Sequence, residues 1–472
     1  MSGGTILERG LRFVRTMVMA KLFLREELGI VALCLAILFM FESFGEVGIR
    51  ISVIQNKIGD KEEYLNASWW MQSVRGLILG VIGIFFSGMI AGFYDEPRLA
   101  NYLRIVFFTL IFNGLISPKT HLLEKQLRFG KYLFVYQGSM LFGTLLTIVL
   151  AFLYRNVWAV IIGYTSESLF RFIISFLLCP FFPRFPIDRE SFRELLSFAK
   201  GMVGLPLLTL VAYQADIFFL GKMVPKEQLG MYSMALQIAR LPRDLINQVM
   251  SKILLPVFSL QQDEIPSLRS NLLQVTRWTA LGLAPLTGFF ITCSGPLLFV
   301  VLKPEYVEAM LPFILLCLVS FLRIQAVIIS SMYFAMNQLN QHRFFTALRV
   351  VVLLICMVPF IEKWGITGAA LAVLAGEFSG FAFQMWMLKK KLSLLTELYV
   401  RSFEPGFRIT AILIACTCGW LYLFSPSFHP YAVEIQLAGG LVLLGGVFLL
   451  AGFLNYREIK QIIYSRKKED ES

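Results

Sequence analysis

The sequence predicts an all-α integral membrane protein with about fourteen transmembrane helices. Hydrophobic residues make up 57% of the 472 residues and charged residues only 16%, so a soluble domain of this size would lack polar surface to cover itself. Apolar runs of about 20 residues, the length that crosses a bilayer as a helix, recur along nearly the whole chain. These runs show no strict alternation, which favours helices over a closed β-barrel.

The predicted spans follow one another with short connections. They cover residues 6–24, 27–53, 69–94, 99–122, 131–154, 157–179, 199–221, 228–256, 277–301, 310–334, 342–361, 365–388, 407–425 and 432–454. The first span is the weakest, because Arg12, Arg15 and Lys21 interrupt it. We expect it to insert with the help of neighbouring helices.

Basic residues are concentrated in every second connection and in both chain tails. Lys389, Lys390 and Lys391 open one such connection, whereas the opposite connection at residues 425–431 has no Lys or Arg. Cytoplasmic loops of membrane proteins carry the excess of Lys and Arg. The pattern therefore predicts that both termini lie in the cytoplasm.

An internal repeat predicts two lobes. Residues 20–29 align without gaps on residues 221–230, and each block ends one span and opens the next. Both blocks start from the same side, so the repeats are parallel and related by an axis along the membrane normal. The predicted organisation is an N-terminal six-helix lobe (1–180), a cytoplasmic linker (181–198), a C-terminal six-helix lobe (199–388), a second cytoplasmic linker (389–406), a terminal helix pair (407–454) and a cytoplasmic tail (455–472).

Composition argues against several classes of function. The net charge of +12 is explained by loop topology and anionic lipid headgroups, so no nucleic-acid partner is expected. The seven cysteines fall in apolar stretches and the three histidines are scattered, which predicts neither a metal site nor a disulfide framework. No nucleophile with an adjacent base can be assembled from neighbouring residues. We therefore expect no enzyme activity and no cofactor.

Charged residues at membrane depth are the main functional signal, because each costs about 2.5–3.5 kcal/mol on insertion scales. In the second span, Glu42, Glu46 and Arg50 are spaced at i, i+4 and i+8 on one helical face. Under the repeat alignment, Glu42 corresponds to Arg243 and Glu46 to Asn247 in the eighth span. The two equivalent helices therefore carry polar groups at matching heights.

Two interpretations of these charges remain open. Neighbouring charges such as Glu46 and Arg50 could neutralise one another, or a hydrated cavity lined by spans 1, 2, 7 and 8 could attract an anion. Arginine suits a diphosphate because its planar fork donates paired hydrogen bonds. The predicted diphosphate-binding residues are Arg15, Arg50, Arg240, Arg243 and Arg323, and the candidate cavity or coupling carboxylates are Glu42, Glu46, Asp216 and Asp244.

Short motifs in a fixed order resemble a known family. They are 27–29 (ELG), 44–48 (FGEVG), 53–55 (VIQ), 215–221 (ADIFFLG), 229–232 (LGMY), 240–242 (RLP), 255–259 (LPVFS) and 365–370 (GITGAA). This pattern is similar to the Wzx-type polysaccharide flippases of the multidrug/oligosaccharidyl-lipid/polysaccharide (MOP) exporter superfamily. The short, basic first helix departs from that family.

The resemblance implies a fourteen-helix, two-lobed transporter of the bacterial cytoplasmic (inner) membrane that works by alternating access. Its substrate would be a polyprenyl-diphosphate-linked oligosaccharide, flipped to the outer leaflet for surface polysaccharide assembly. Implied partners are membrane lipids and polysaccharide assembly proteins, and a proton or sodium ion is a candidate coupling ion.

Three other classes of function remain. A drug exporter of the same superfamily is expected to have cavity carboxylates without an arginine cluster, whereas this chain has both signs of charge. A flippase for the peptidoglycan precursor is expected to differ in the motifs of spans 1 and 2. A membrane-embedded polysaccharide polymerase or ligase generally has a large outer loop, which this sequence lacks.

Overall fold

The computed structural model is helical in nearly all of the residues that it describes. These are residues 2–45, 48–126, 128–185, 187–202, 205–244, 246, 247, 250, 254, 258, 264–336, 338–392, 396–424 and 432–454. No strand occurs among them. The predicted all-α class is therefore confirmed.

The chain forms two compact units, Met1–Met234 and Ala235–Ser472. Helices that begin in the first unit are α1 (Ser2–Leu22), α2 (Arg25–Gly45), α3 (Ile49–Gln55), α4 (Glu62–Phe93), α5 (Arg98–Val106), α6 (Phe108–Gly114), α7 (Lys119–Lys125), α8 (Phe129–Leu133), α9 (Ser139–Tyr154), α10 (Val157–Leu178), α11 (Arg189–Met202), α12 (Leu205–Met223) and α13 (Lys226–Ala239). Those of the second unit are α14 (Ile265–Thr292), α15 (Ser294–Val301), α16 (Met310–Ala335), α17 (Leu339–Leu392), α18 (Thr396–Arg401), α19 (Glu404–Leu423) and α20 (Ala432–Leu454). The predicted division into two six-helix lobes and a terminal pair stays a prediction.

Several helices are long and apolar enough to cross a membrane. Within the described residues there are six such segments, or eight if each of two sharply bent helix pairs counts as one span. Helices α1 and α2 lie in the first two predicted spans, and α3 lies in the last part of the second. The chain is therefore a multi-pass membrane protein, and the total of fourteen spans stays a prediction.

Most of the apolar surface of these segments points away from the protein. In five of the six, only 22–33% of the most apolar window is buried, and the side chains of Phe85 and Leu153 are 79% and 70% exposed. The exception is the segment Pro304–Ala335, which is 61% buried. Because lipid tails solvate such surfaces, the other five segments face the bilayer and α16 forms the centre of its unit.

The fifty-four residues of α17 are two helices that meet at a reversal. Gly365 has φ 55° and ψ −131°, a conformation that side chains with a Cβ rarely adopt. A Cβ on Gly368 would lie 1.8 Å from the backbone oxygen of Phe360, so this position also requires glycine. The boundary between the predicted spans 342–361 and 365–388 falls at this turn.

The two blocks of the internal repeat contact each other directly. A Cβ on Gly29 would lie 2.0 Å from the carbonyl oxygen of Lys226, and a Cβ on Gly230 would lie 1.8 Å from the carbonyl oxygen of Arg25. Gly29 aligns with Gly230 in the repeat, and Arg25 aligns with Lys226. The contact is therefore reciprocal, as expected for elements related by a two-fold axis.

Ion pairs connect the helix ends that surround this glycine contact. The ion pairs are Arg25–Glu227, Arg98–Glu26 and Lys222–Asp95. The Lys222 ammonium donates a hydrogen bond of 2.6 Å to Asp95, which lowers the pKa of that exposed carboxyl. Single exposed pairs contribute little to stability, so the glycine contact is the main determinant of this packing.

We expect Gly230→Ala to destabilise the protein by about 1–3 kcal/mol, because the added methyl group must displace the Arg25 backbone. The measurement is the melting temperature of the purified protein in detergent. Gly88→Ala is the matched control, since a Cβ there meets no atom within 4 Å. Equal melting temperatures for the two variants would contradict the tight approach of the repeat blocks.

Candidate functional site

A polar cavity of about 460 Å³ lies inside the first unit. Its lining comes from α2, α3, α4, α6, α7 and the turn at Gly48. The polar lining residues are Glu42, Ser43, Arg50, Gln72, Arg75, Asn113 and His121, and the apolar ones are Phe39, Ile49, Ile51, Leu79 and Leu110. The volume is in the range of small-molecule binding sites, and two predicted site residues, Glu42 and Arg50, share its wall.

Arg50 is held by the carboxylate of Glu124, which is not itself a lining residue of the cavity. Its Nε and Nη2 atoms donate to the two oxygens of Glu124 at 3.0 and 2.8 Å. Nη2 also lies 3.4 Å from the Tyr132 hydroxyl. The partner predicted from helical spacing, Glu46, lies outside the described residues, so Glu124 is the partner that is seen. The Arg50 guanidinium is therefore oriented, with its charge largely balanced.

A hydrogen-bonded chain connects the cavity to α10. The Asn113 amide donates to Glu42 at 3.3 Å, and its oxygen accepts from Arg171 at 3.5 Å. Arg171 in turn donates to Glu167 at 2.5 Å, and both of these side chains are mostly buried. Glu42 is therefore held by a network that crosses three helices, α2, α6 and α10.

Arg15 lies on α1, close to the same network. Its Nε atom is buried, and the N–H of that atom donates to no acceptor among the described residues. Glu167 on α10 lies close enough to act on the guanidinium, and Arg12 adds a second cation one turn earlier on the same helix face.

Asp216 on α12 is buried and held by neutral donors. Its side chain is 4% exposed. The Tyr232 hydroxyl donates to one carboxylate oxygen at 2.8 Å, and the Ile217 backbone N–H donates to the other at 2.9 Å. No Lys, Arg or His among the described residues makes a salt bridge with it. When the repeat alignment is extended towards the N-terminus, Asp216 corresponds to Arg15.

Three other predicted site residues lie close together in the second unit. Arg243 donates to Asp244 at 2.9 and 3.1 Å, and Arg240 is half-buried at the turn that follows α13. The backbone N–H of Asp244 donates to the carbonyl of Arg240 at 2.9 Å. The two arginines therefore lie close together, and the carboxylate of Asp244 offsets part of their positive charge.

Arg323 belongs to a buried ion triad. Its Nε atom donates to Glu377 at 2.6 Å, and Arg349 donates to the other oxygen of the same carboxylate at 3.2 Å. Arg323 and Glu377 are each only 3% exposed. The structure therefore places Arg323 in a paired, dry environment between α16 and α17 rather than on the wall of the cavity.

The structure brings only some of the predicted residues together, and it adds others. Glu42 and Arg50 share the cavity, whereas Arg15 and Asp216 lie elsewhere in the same unit. Helices α1, α12 and α13 contribute no lining residue to this cavity, so the predicted chamber lined by spans 1, 2, 7 and 8 stays a prediction. The cavity residues missed from the sequence are Gln72, Arg75, Asn113 and His121. These residues could have been predicted, because polar side chains inside the third and fourth spans are as unusual as the charged residues of the second and eighth spans.

Comparisons with known proteins point to one family. A family model described as "Polysaccharide biosynthesis protein" matches residues 18–311. The teichuronic acid biosynthesis protein TuaB of Bacillus subtilis is 21% identical over 78% of this chain and 76% of its own length. The lipopolysaccharide biosynthesis protein WzxC of Escherichia coli is 23% identical over 68% of this chain and 65% of its own length.

Solved structures show the fold. The inward closed conformation of the lipid II flippase MurJ superimposes with a TM-score of 0.77 at 16% identity, covering 97% of this chain and 99% of that one. An inward-facing multidrug resistance MATE transporter of the MOP superfamily gives a TM-score of 0.61 at 16% identity, covering 82% of this chain and 94% of that one. The chain therefore has the same fold as these two transporters, and together with the family model and the relatives this confirms the resemblance noted in the sequence.

We expect Glu377→Gln to destabilise the second unit strongly, because it leaves the two buried guanidinium groups without their carboxylate. Breaking a buried pair in this way costs about 3–5 kcal/mol. Thermal unfolding in detergent provides the measurement. The control is Glu397→Gln, which removes a 70% exposed carboxylate paired with Arg401 and should cost less than about 1 kcal/mol. The triad would lose its structural role if both variants melted at the same temperature.

Proposed function

This chain belongs to the family of polysaccharide biosynthesis proteins, and we propose that it flips a polyprenyl-diphosphate-linked oligosaccharide from the cytoplasmic to the outer leaflet of the bacterial inner membrane. The flipped unit then enters surface polysaccharide assembly. Relatives named for teichuronic acid and lipopolysaccharide biosynthesis support this proposal, as does the fold shared with a lipid II flippase.

The observation that carries the proposal is the chemistry of the cavity. Arg75 supplies guanidinium N–H donors of the kind that a diphosphate accepts, and Arg50 adds a second guanidinium that Glu124 holds in place. Gln72 and Asn113 supply neutral amides that suit sugar hydroxyls. Arg15 adds a buried cation on the neighbouring helix. Such a set of donors suits an anionic, polyhydroxylated headgroup.

Alternating access supplies the movement. With both termini in the cytoplasm, the first turns of α2 and α13, which meet at Gly29 and Gly230, lie at the outer end of the helices, and their contact closes that end. The ion pair Arg25–Glu227 joins the same two helices, and Lys222–Asp95 joins the end of α12 to the loop after α4. Separation of α2 from α13 at this point would then open the pathway to the outer leaflet.

We expect Arg15→Gln, Arg240→Ala and Arg243→Ala each to reduce flipping about tenfold or more, the factor associated with loss of one charge-assisted hydrogen bond to a phosphate. The assay uses proteoliposomes and a polyprenyl-diphosphate disaccharide with a fluorophore on the sugar, whose exposure is followed by chemical quenching.

Arg401→Ala is the control, because Arg401 is 68% exposed and paired only with its helical neighbour Glu397. All variants should reach wild-type levels in the membrane. Wild-type flux in both Arg240→Ala and Arg243→Ala would remove these residues from the binding site. Cleavage or transfer of the sugar by the wild-type protein would identify an enzyme instead of a flippase.

Asp216 is our candidate for coupling transport to a proton gradient. Its carboxylate is held by a hydroxyl and a backbone amide, and no described cation pairs with it. The other candidate carriers of the coupling ion, a proton or sodium, are Glu42, Glu46 and Asp244.

We expect Asp216→Asn to abolish the acceleration of flipping by a proton gradient while leaving exchange without a gradient intact. The flux assay is run with the proton gradient and the sodium gradient collapsed in turn. If Asp216→Asn keeps its full response to the proton gradient, Asp216 does not carry the proton.

A further inference from the structure

A second cavity of about 190 Å³ lies in the first unit and shares no lining residue with the first. It is lined by Glu62, Glu63, Asn66, Lys119, Pro180, Phe181, Phe182, Arg184 and Asp188. These residues come from the start of α4, the start of α7 and the segment that follows α10. No step of the proposed transport uses them.

This cavity lies at the level of the membrane surface. It is formed at the first turn of Glu62–Phe93 and just beyond the end of Val157–Leu178, and both segments are long and apolar enough to span a bilayer. Phe182 and Phe185 beside it are 82% and 81% exposed. Aromatic side chains exposed at the ends of spanning helices insert between lipid headgroups and acyl chains.

The wall of the cavity is held in place by hydrogen bonds. The Asn66 side-chain amide donates to the carbonyl of Arg184 at 2.9 Å and accepts from its backbone N–H at 2.9 Å. The Trp70 indole donates to the same carbonyl at 3.1 Å. The segment is therefore preorganised, which lowers the entropic cost of binding a ligand.

Two charges of this wall already have partners. Arg184 pairs with Glu62 at 3.2 Å. The Asp188 carboxylate accepts the Ser191 backbone N–H at 2.8 Å at the start of α11, and this bond lowers the pKa of the Asp188 carboxyl. These contacts explain why both residues lie where they do without any ligand.

Two opposite charges remain available in the same cavity. The Lys119 ammonium lies 5.9 Å from the centre of the Phe181 ring, and no carboxylate of the described chain is within salt-bridge distance of it. Glu63 likewise makes no ion pair with a described cation. The two side chains line one cavity without pairing with each other. A ligand that carries both an anion and a cation would satisfy both.

We propose that this cavity binds the headgroup of an ethanolamine phospholipid. The lipid phosphate accepts from Lys119, its primary ammonium donates to Glu63, and its acyl chains run along Phe182 and Phe185. Under the predicted topology this lipid belongs to the cytoplasmic leaflet. A choline headgroup lacks the N–H donors that Glu63 requires, and a glycerol headgroup lacks the cation.

The test is native mass spectrometry of the purified full-length chain, titrated with phosphatidylethanolamine, phosphatidylcholine or phosphatidylglycerol of matched acyl chains. We expect the wild-type protein to retain the ethanolamine lipid about tenfold better than the choline lipid, as one charge-assisted hydrogen bond implies. Glu63→Gln should abolish that preference. Lys119→Gln should weaken all three lipids, whereas Lys119→Arg should retain binding.

Matched controls are Lys363→Gln, whose ammonium also lies over an aromatic ring, and Glu434→Gln. Neither should change lipid retention, and every variant should keep the wild-type melting temperature in detergent. Equal retention of the ethanolamine and choline lipids by the wild-type protein would overturn the proposal. Tightest retention of phosphatidylglycerol, or an unchanged preference in Glu63→Gln, would overturn it as well. Because binding is measured without transport, the result is independent of the proposed flipping activity.

Discussion

A charge inside a bilayer needs a partner, and this constraint organises the interior of both units. An ionised side chain without compensation costs several kcal/mol in hydrocarbon, so the buried carboxylates recruit donors from other helices. Glu377 joins α16 to α17 through two arginines. In the first unit the corresponding role belongs to the chain Glu167, Arg171 and Asn113, which ends at Glu42 on the cavity wall. The same requirement therefore produces a closed triad in one unit and an open network in the other.

This difference separates the charges with a structural role from those that we propose to be functional. The triad is buried, with two guanidinium groups around one carboxylate, whereas the network ends in a cavity beside Arg50 and Arg75. Burial alone does not separate a proposed functional carboxylate from a structural one, because the side chains of Asp216 and Glu377 are equally buried. What distinguishes them is the kind of donor: a hydroxyl and an amide at Asp216, and guanidinium groups at Glu377.

Much of this architecture could be predicted from the sequence. Apolar runs identify the helices, the gap between the spans 342–361 and 365–388 matches the reversal at Gly365, and the repeat alignment pairs two glycines that touch in the fold. Charge pairing could be predicted less well. Helical spacing defines the face of a helix but not the helix opposite, so the partners Glu124 of Arg50 and Glu377 of Arg323 could not be predicted.

The reciprocal contact of the repeat blocks has one further consequence. Each glycine lies against the backbone of the other block, so neither block can withdraw without releasing both contacts. The two glycine contacts must therefore separate together. A partly separated arrangement would still be sterically constrained and would have lost part of its packing. In the transport that we propose, this contact would give the element two discrete arrangements with a barrier between them, a property that limits the leakage of ions through intermediate openings.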